Sequence, residues 1–249
     1  MIASLAMYDL PPVRGATDRY WQAIRARLGN GPVALTRDRD LWQIWQSPDL
    51  LLAQTCGYPY RARLHGHVTL VGTPDYGLPG CPPGHYNSVF IARADDPRVD
   101  PADFAGAMFA YNEALSQSGW AAPQTWARAR GLVFGSAVAS GAHAASVRMV
   151  TEGQADIAAI DALTWGLLSE HTPVTDGLKE LARTDPTPAL PYITTRTRDP
   201  APILRAIAAA IGDLAEADRA ALHLKGVVHT TAEDYLSVPT PPGPDAIST

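Results

Sequence analysis

Short apolar runs alternate with helical patterns along the whole chain, and this alternation constrains the fold more than any other feature. Residues 2–7, 50–55 and 157–161 have the length and apolar content of buried strands. Tyr20, Trp21, Ile24 and Leu28 recur at helical spacing, and Gly29 follows as a stop signal. Strands that alternate with helices in this way predict an α/β fold with a mostly parallel sheet.

The remaining elements follow the same rules. Further strands are predicted at 33–35, 68–71, 89–93, 109–112, 137–140, 178–184 and 192–195. Further helices are predicted at 40–46, 119–130, 143–151, 163–171, 203–214 and 217–224.

Proline-marked breaks near 94–101 and 185–191 divide this pattern into two series. We therefore expect two lobes, the first discontinuous (1–93 with 185–249) and the second inserted as 94–184. Two crossovers between them would form a hinge, and a ligand would lie in the cleft where strands end. The proline-rich tail 239–249 is expected to be loosely attached.

Charge and hydropathy exclude several classes of protein. The net charge of -5 and the presence of only two lysines argue against a nucleic-acid-binding protein and a polybasic membrane patch. No apolar run is long enough to predict insertion into a membrane. The first residues lack the basic region of a secretory signal, so a cytoplasmic location is expected unless an export signal lies outside the given chain.

Two cysteines, Cys56 and Cys81, leave three interpretations open. They are two buried thiols, a single bridge between glycine-rich loops, or, with His65 and His67, part of a metal site. The spacing matches no zinc pattern. No metal or cofactor is therefore expected.

The segment 111–120, Tyr-Asn-Glu-Ala-Leu-Ser-Gln-Ser-Gly-Trp, carries the clearest chemical signal. A strand ends and Ser116-x-Ser118-Gly119 opens a helix, whose first turn offers unpaired N–H groups and partial positive charge. The serine hydroxyls add donors, and Gly119 has no Cβ to obstruct an anion. The alternative is a plain N-cap serine.

Three groups of residues together resemble one family. They are the run 86–95 (Tyr-Asn-Ser-Val-Phe-Ile-Ala-Arg-Ala-Asp), the Ser116–Gly119 helix opening, and Ser140-Gly141-Ala142-His143 followed by Gly153-x-x-Asp156. The sequence is similar here to the PhnD-like phosphonate-binding proteins of ABC transporters, which have the type II periplasmic binding fold. The resemblance implies a phosphonate or phosphate ligand, hinge closure, an ABC permease as partner, and no catalysis.

The resemblance also implies roles for particular residues. Ser116, Ser118 and Gly119 would hold the oxyanion, while Gln117 stands where the family commonly has a hydroxyl residue. Tyr86 and His143 would line the cleft, and Asp161 would face a ligand amine.

The residues themselves leave other interpretations open. His143 is also placed to cap a helix, and Asp161 is equally suited to be the N-cap of the helix that follows it. Tyr8 and Tyr58 follow predicted strands and are candidates for aromatic walls of a binding site, or else are surface residues on loops.

Enzyme signatures such as a P-loop or a Gly-x-Ser-x-Gly elbow do not occur. A triad of Ser116, His143 and Asp161 is conceivable, but only geometry identifies one. The main hypothesis is thus a binding protein for a small oxyanion. The alternatives are a cytosolic sensor of the same fold and, less favoured, an enzyme on that scaffold.

Overall fold

The computed structural model describes residues 1–246, which form mixed α/β structure. In chain order the strands are β1 (Ile2–Ser4), β2 (Leu50–Gln54), β3 (Val68–Asp75), β4 (His85–Tyr86), β5 (Ser88–Arg93), β6 (Met108–Tyr111), β7 (Ser136–Ala139), β8 (Ile157–Asp161), β9 (Leu178–Arg183), β10 (Thr187–Pro188), β11 (Tyr192–Thr195) and β12 (Gly226–Val228). The α-helices are α1 (Arg14–Leu28), α2 (Leu41–Trp45), α3 (Gly57–Pro59), α4 (Ala122–Arg128), α5 (His143–Thr151), α6 (Ala162–His171), α7 (Ala201–Asp213), α8 (Glu216–Ala221) and α9 (Ala232–Leu236). None of the described helices is long and apolar enough to cross a bilayer.

Two compact units divide the chain. The first comprises Met1–His85 and Pro188–Ser237, and the second comprises Tyr86–Thr187 with the described residues from Val238 onward. The limits expected from the proline breaks placed 86–93 in the first lobe. The structure places β5 in the second unit, because its backbone pairs with β8 on one side and β9 on the other. Residues 247–249, the end of the expected first lobe, lie outside the described residues.

The first unit contains a sheet of order β1-β2-β11-β3-β12. The β1 and β2 strands pair in parallel, but β11 runs antiparallel to both β2 and β3, and β12 runs antiparallel to β3. Every residue of β2 is buried, as its apolar sequence predicts.

The second unit contains a sheet of order β7-β6-β8-β5-β9. The β6 strand runs parallel to β7 and β8, whereas β5 is antiparallel to β8 and β9. The expectation of mostly parallel sheets is therefore wrong. β5 and β11 are the strands that enter each sheet after the chain has crossed between units. Each runs antiparallel to both of its neighbours. Strands joined by helices within a unit keep one direction, as crossover connections require.

Local signals placed most of the helices correctly. In α1, Tyr20, Trp21 and Ile24 are buried, and Gly29 ends the helix at a φ of 72°, a conformation that favours glycine. The helix expected at 40–46 begins with Asp40 as N-cap, which accepts a hydrogen bond from Gln43 N.

Two expected strands differ from the structure. Residues 33–35 form no strand, and Val33 is 73% exposed, because three apolar residues are too few to fix a buried ladder. The strand expected over 2–7 ends at Ser4, and a 3₁₀ turn, Ala6–Tyr8, follows it.

The C-terminal segment belongs to the second unit, so the chain passes between the units a third time, after Ser237. Pro241 is buried, and the indole N–H of Trp120 donates a hydrogen bond to the carbonyl of Pro242 at 3.0 Å. Trp120 is itself fully buried. The described part of the expected loose tail is thus packed on the second unit rather than detached.

A chain that ends at Ser237 tests the importance of this packing. We expect the melting temperature to fall, because the truncation removes the hydrogen-bond acceptor of Trp120 and uncovers apolar surface. Trp120→Phe removes the hydrogen bond and part of the ring, and should act in the same direction in the full chain. An unchanged melting temperature for the truncated chain, measured by calorimetry, would contradict the contact.

Candidate functional site

Ser116 begins a helix whose first turn is capped. Ser116 is the N-cap, and its Oγ accepts a hydrogen bond from Gly119 N at 3.0 Å. A π-helical turn, Gln117–Ala121, follows and continues directly into α4. The N–H groups of Trp120 and Ala121 both donate to the carbonyl of Ser116. The plain cap considered for Ser116 from the sequence is therefore present, and Ser118 is left for another contact.

That contact is with His143. Ser118 Oγ and His143 Nε2 lie 2.9 Å apart, and Ser118 is only 3% exposed. The loop before His143 is held against the end of β6, since Ser140 N donates to the carbonyl of Tyr111 and Gly141 N donates to that of Asn112. The fold thereby brings together two residues that are 25 positions apart in sequence.

His143 is neutral near neutral pH. Burial of its ring lowers the pKa from 6.5 to about 4. Its Nδ1 is buried and has no hydrogen-bond partner in the structure. The groups that this turn offers to an anion are therefore hydroxyls, backbone dipoles and a neutral imidazole rather than a formal positive charge.

Asn112, which the sequence reasoning did not select, closes one side of this turn. Its Oδ1 is buried and has no hydrogen-bond partner. A methyl group built on Gly119 would overlap this oxygen and would lie 3.3 Å from Asn112 N. A residue with a Cβ at position 119 would therefore force the Asn112 side chain to move. The position of Asn112 directly after a predicted strand was the available signal.

Asp161 lies at the end of β8, the parallel neighbour of β6. It is 2% exposed, and its carboxylate accepts a hydrogen bond from Thr164 N at 2.9 Å as the N-cap of α6. The helix-capping interpretation of Asp161 is confirmed. A role facing a ligand amine stays a prediction.

These positions do not form a catalytic triad. Ser118 rather than Ser116 contacts His143, and the far nitrogen of His143 has no carboxylate partner to orient it.

The three tyrosines expected to line a binding site are divided between the two units. Tyr86, in β4, is 1% exposed and belongs to the second unit, as do Gln117 and the other residues described above. Tyr8 and Tyr58 belong to the first unit. Tyr8 ends a 3₁₀ turn, and its ring packs edge-on against Tyr76 at 5.3 Å. Tyr58 is buried in α3, with the guanidinium of Arg61 over its ring at 4.3 Å.

Tyr8 lines a small cavity in the first unit, of about 30 Å³, which has room for a water molecule. Tyr20, Tyr76 and Tyr192 share its lining, and the hydroxyls of Tyr20 and Tyr192 lie 3.2 Å apart. The side-chain amide of Gln54 donates to the hydroxyl of Tyr76 at 2.9 Å. The cavity is thus aromatic, with a few polar groups at its wall.

Cys56 and Cys81 are free thiols, so of the interpretations left open the single bridge is not the one observed. Within residues 1–246, no three His, Cys, Asp or Glu side chains come together in a way that could hold a metal ion.

Comparison with protein families decides the broad class. A model described as an ABC transporter, phosphonate, periplasmic substrate-binding protein matches residues 46–235. The chain belongs to this family of substrate-binding proteins. The family is one of periplasmic proteins that bind substrates rather than convert them. Among curated proteins, none matches the sequence.

Solved structures show the same fold. PhnD1 from Prochlorococcus marinus, in complex with methylphosphonate, superposes with a TM-score of 0.74 at 14% identity, covering 94% of this chain and 93% of that one. A binding protein component of an ABC phosphonate transporter from Pseudomonas aeruginosa gives 0.73 at 15% identity, covering 94% and 82%. A histidine kinase sensor domain with similarity to periplasmic binding proteins gives 0.62 at 17% identity, covering 92% and 96%. The fold is thus that of the two-lobed type II periplasmic binding proteins.

The contact of Gly119 with Asn112 generates a stability prediction. Gly119→Ala should destabilise the protein by about 1–3 kcal/mol, because the buried Asn112 side chain must move to admit the new methyl group. Gly166→Ala, inside α6 where a methyl group meets no atom, should be neutral or stabilising by up to about 1 kcal/mol. Urea denaturation measures both. Equal effects of the two substitutions would contradict the contact, and adding Asn112→Ala to Gly119→Ala should recover stability.

The lowered pKa of His143 predicts a pH dependence of stability. The unfolded histidine takes a proton near pH 6.5, whereas the folded ring resists protonation until about pH 4. Between these values the unfolded state binds more protons, so stability is complete above the unfolded pKa and falls by up to about 3 kcal/mol as pH drops through the window. His143→Gln should flatten this part of the denaturation profile. If stability depends on pH with the same slope in the variant, groups other than His143 cause the pH dependence.

Proposed function

We propose that this protein binds a small phosphonate or phosphate-ester anion at the Ser116–Gly119 turn and releases it unchanged to an ABC permease. The observation that carries the proposal is the Ser118–His143 pair at the start of a capped helix, in a chain that belongs to a phosphonate-binding family. The methylphosphonate complex of PhnD1, which has the same fold, supports the choice of ligand class.

The chemistry of the turn suits an oxyanion. The helix start supplies partial positive charge, and a hydroxyl donates without the desolvation cost of a buried lysine. With the His143 proton on Nε2, the imidazole donates to Ser118 Oγ, and the Ser118 hydroxyl is then free to turn its own proton toward a ligand oxygen. Charge on that oxygen strengthens this hydrogen bond.

The other expected contacts are part of the proposal. Gln117 and Tyr86 belong to the same unit as the turn, and Tyr8 and Tyr58 are candidates for contacts with the organic part of the ligand. A carboxylate at Asp161 would suit a ligand that also carries an amine. We further propose that the protein acts in the periplasm, as its family does. Fractionation that finds it in the cytoplasm would instead favour the sensor alternative.

Calorimetric titration tests the binding proposal directly. Methylphosphonate should bind, and Ser118→Ala should weaken binding by about tenfold to about a hundredfold, the worth of one hydrogen bond to a charged group. Ser136→Ala is the matched control, since Ser136 is an exposed hydroxyl residue of the same unit, and it should leave affinity unchanged.

Three results would count against the proposal. The first is an absence of binding heat with any phosphonate or phosphate ester. The second is equal affinity of the wild type and Ser118→Ala. Conversion of the ligand, followed by phosphorus NMR, would contradict a purely binding role.

A further inference from the structure

Beyond the ligand class, the surroundings of the turn bear on the ionic form in which the ligand binds. A phosphonate carries one or two negative charges near neutral pH, and the singly charged form keeps one P–OH group. That form offers a hydrogen-bond donor, which the doubly charged form lacks. The polar atoms around Gly119 therefore discriminate between the two forms.

Asn112 presents a hydrogen-bond acceptor to which no group of the described residues donates. Its Oδ1 is buried against Gly119 and has no hydrogen-bond partner, whereas its backbone carbonyl already accepts from Gly141 N. A buried carbonyl oxygen without a partner costs about 1–3 kcal/mol. A ligand that brings a proton to this oxygen removes that cost, and a ligand that brings only oxygens adds repulsion.

The charges in this region do not favour a dianion. His143 is neutral above about pH 4 and therefore supplies no positive charge. Burial raises the pKa of Tyr111, with the charge of Asp245 acting in the same direction, so Tyr111 stays a neutral phenol. Asp161 ends the neighbouring strand, β8, and is buried. A carboxylate at this position disfavours a second negative charge on the ligand.

Several cationic side chains of the second unit are engaged elsewhere. Arg98 forms a bidentate pair with Asp96, Lys179 donates to the backbone carbonyl of Asp96, and Arg183 pairs with Glu180. The charges of Arg98 and Arg183 are matched by carboxylates there, and Lys179 is held at a backbone carbonyl rather than at the Ser116–Gly119 turn.

We propose that Asn112 is a specificity-determining residue: its Oδ1 accepts the hydrogen bond of a P–OH group, so the protein binds the hydrogen phosphonate monoanion and rejects both the dianion and sulfonates. The inference rests on the proposed function and extends it. A sulfonate is the informative comparison, because it has the same single charge and a similar tetrahedral shape but no proton to donate.

Titration of the full chain with methylphosphonate and methanesulfonate across pH tests the proposal. Between about pH 5.5 and about pH 9, His143 stays neutral, so the ligand is the group that changes. If only the monoanion binds, affinity is constant at low pH and falls about tenfold per unit above the second pKa of the phosphonate. Methanesulfonate should bind at least about tenfold more weakly than methylphosphonate at low pH, the worth of a buried acceptor left unpaired.

Variants separate Asn112 from the rest of the site. Asn112→Ala should reduce both the pH dependence and the preference for phosphonate over sulfonate. Asn112→Asp keeps the acceptor oxygens and should retain both properties, which keeps the proposal testable if the alanine variant fails to fold. Asn87→Ala is the matched control, because Asn87 is a buried asparagine of the same unit whose Oδ1 already has Arg183 as a partner at 3.5 Å. It should leave both properties unchanged.

The outcomes distinguish this inference from the proposed function. Affinity that is flat or rises with pH, or equal binding of the sulfonate, would overturn the inference and would place the amide nitrogen of Asn112, a donor, toward the ligand. The proposed function would survive that result provided Ser118→Ala still weakens binding. No binding of methylphosphonate at any pH would overturn both.

Discussion

The close approach of Asn112 to Gly119 is the constraint on which the candidate site depends. It brings the end of β6 against the first turn of the following helix, and a Cβ at position 119 would displace the Asn112 side chain from this place. The same strand end holds the loop that leads to His143, through the backbone carbonyls of Tyr111 and Asn112. One strand end therefore sets the positions of both partners of the Ser118–His143 hydrogen bond.

A site of the proposed kind would attract an anion with dipoles rather than with charge. Hydroxyls, the helix start and a neutral imidazole need little desolvation, whereas a buried lysine or arginine would lose much of its hydration. The binding energy available from such groups is moderate and directional. Selectivity would then depend on whether each donor and acceptor of the site meets a complementary group on the ligand. In the proposal, Ser118 is such a donor and Asn112 is such an acceptor.

The two units share one construction principle. Within each, helices connect strands of one direction, and the strand that follows a crossing enters the sheet in the opposite direction. Three passages of the chain join the units, and the last delivers a C-terminal segment that packs on Trp120, next to Gly119 in sequence. Trp120 in turn packs against Tyr111, with ring centroids 4.8 Å apart.

The sequence by itself determined the α/β class, most helices and strands and a helix start within Ser116–Gly119, because apolar periodicity and capping residues are local properties of the chain. It did not reveal β12 or α9, although Thr231 and Asp234 form a capping box that signals the latter. Only the tertiary structure decided the directions of β5 and β11, the attachment of the C-terminal segment, the free state of the cysteines and the contacts of Ser118 and Asn112. Each of these depends on which distant segments pack together, and that choice reflects burial summed over the whole core rather than any short stretch of residues.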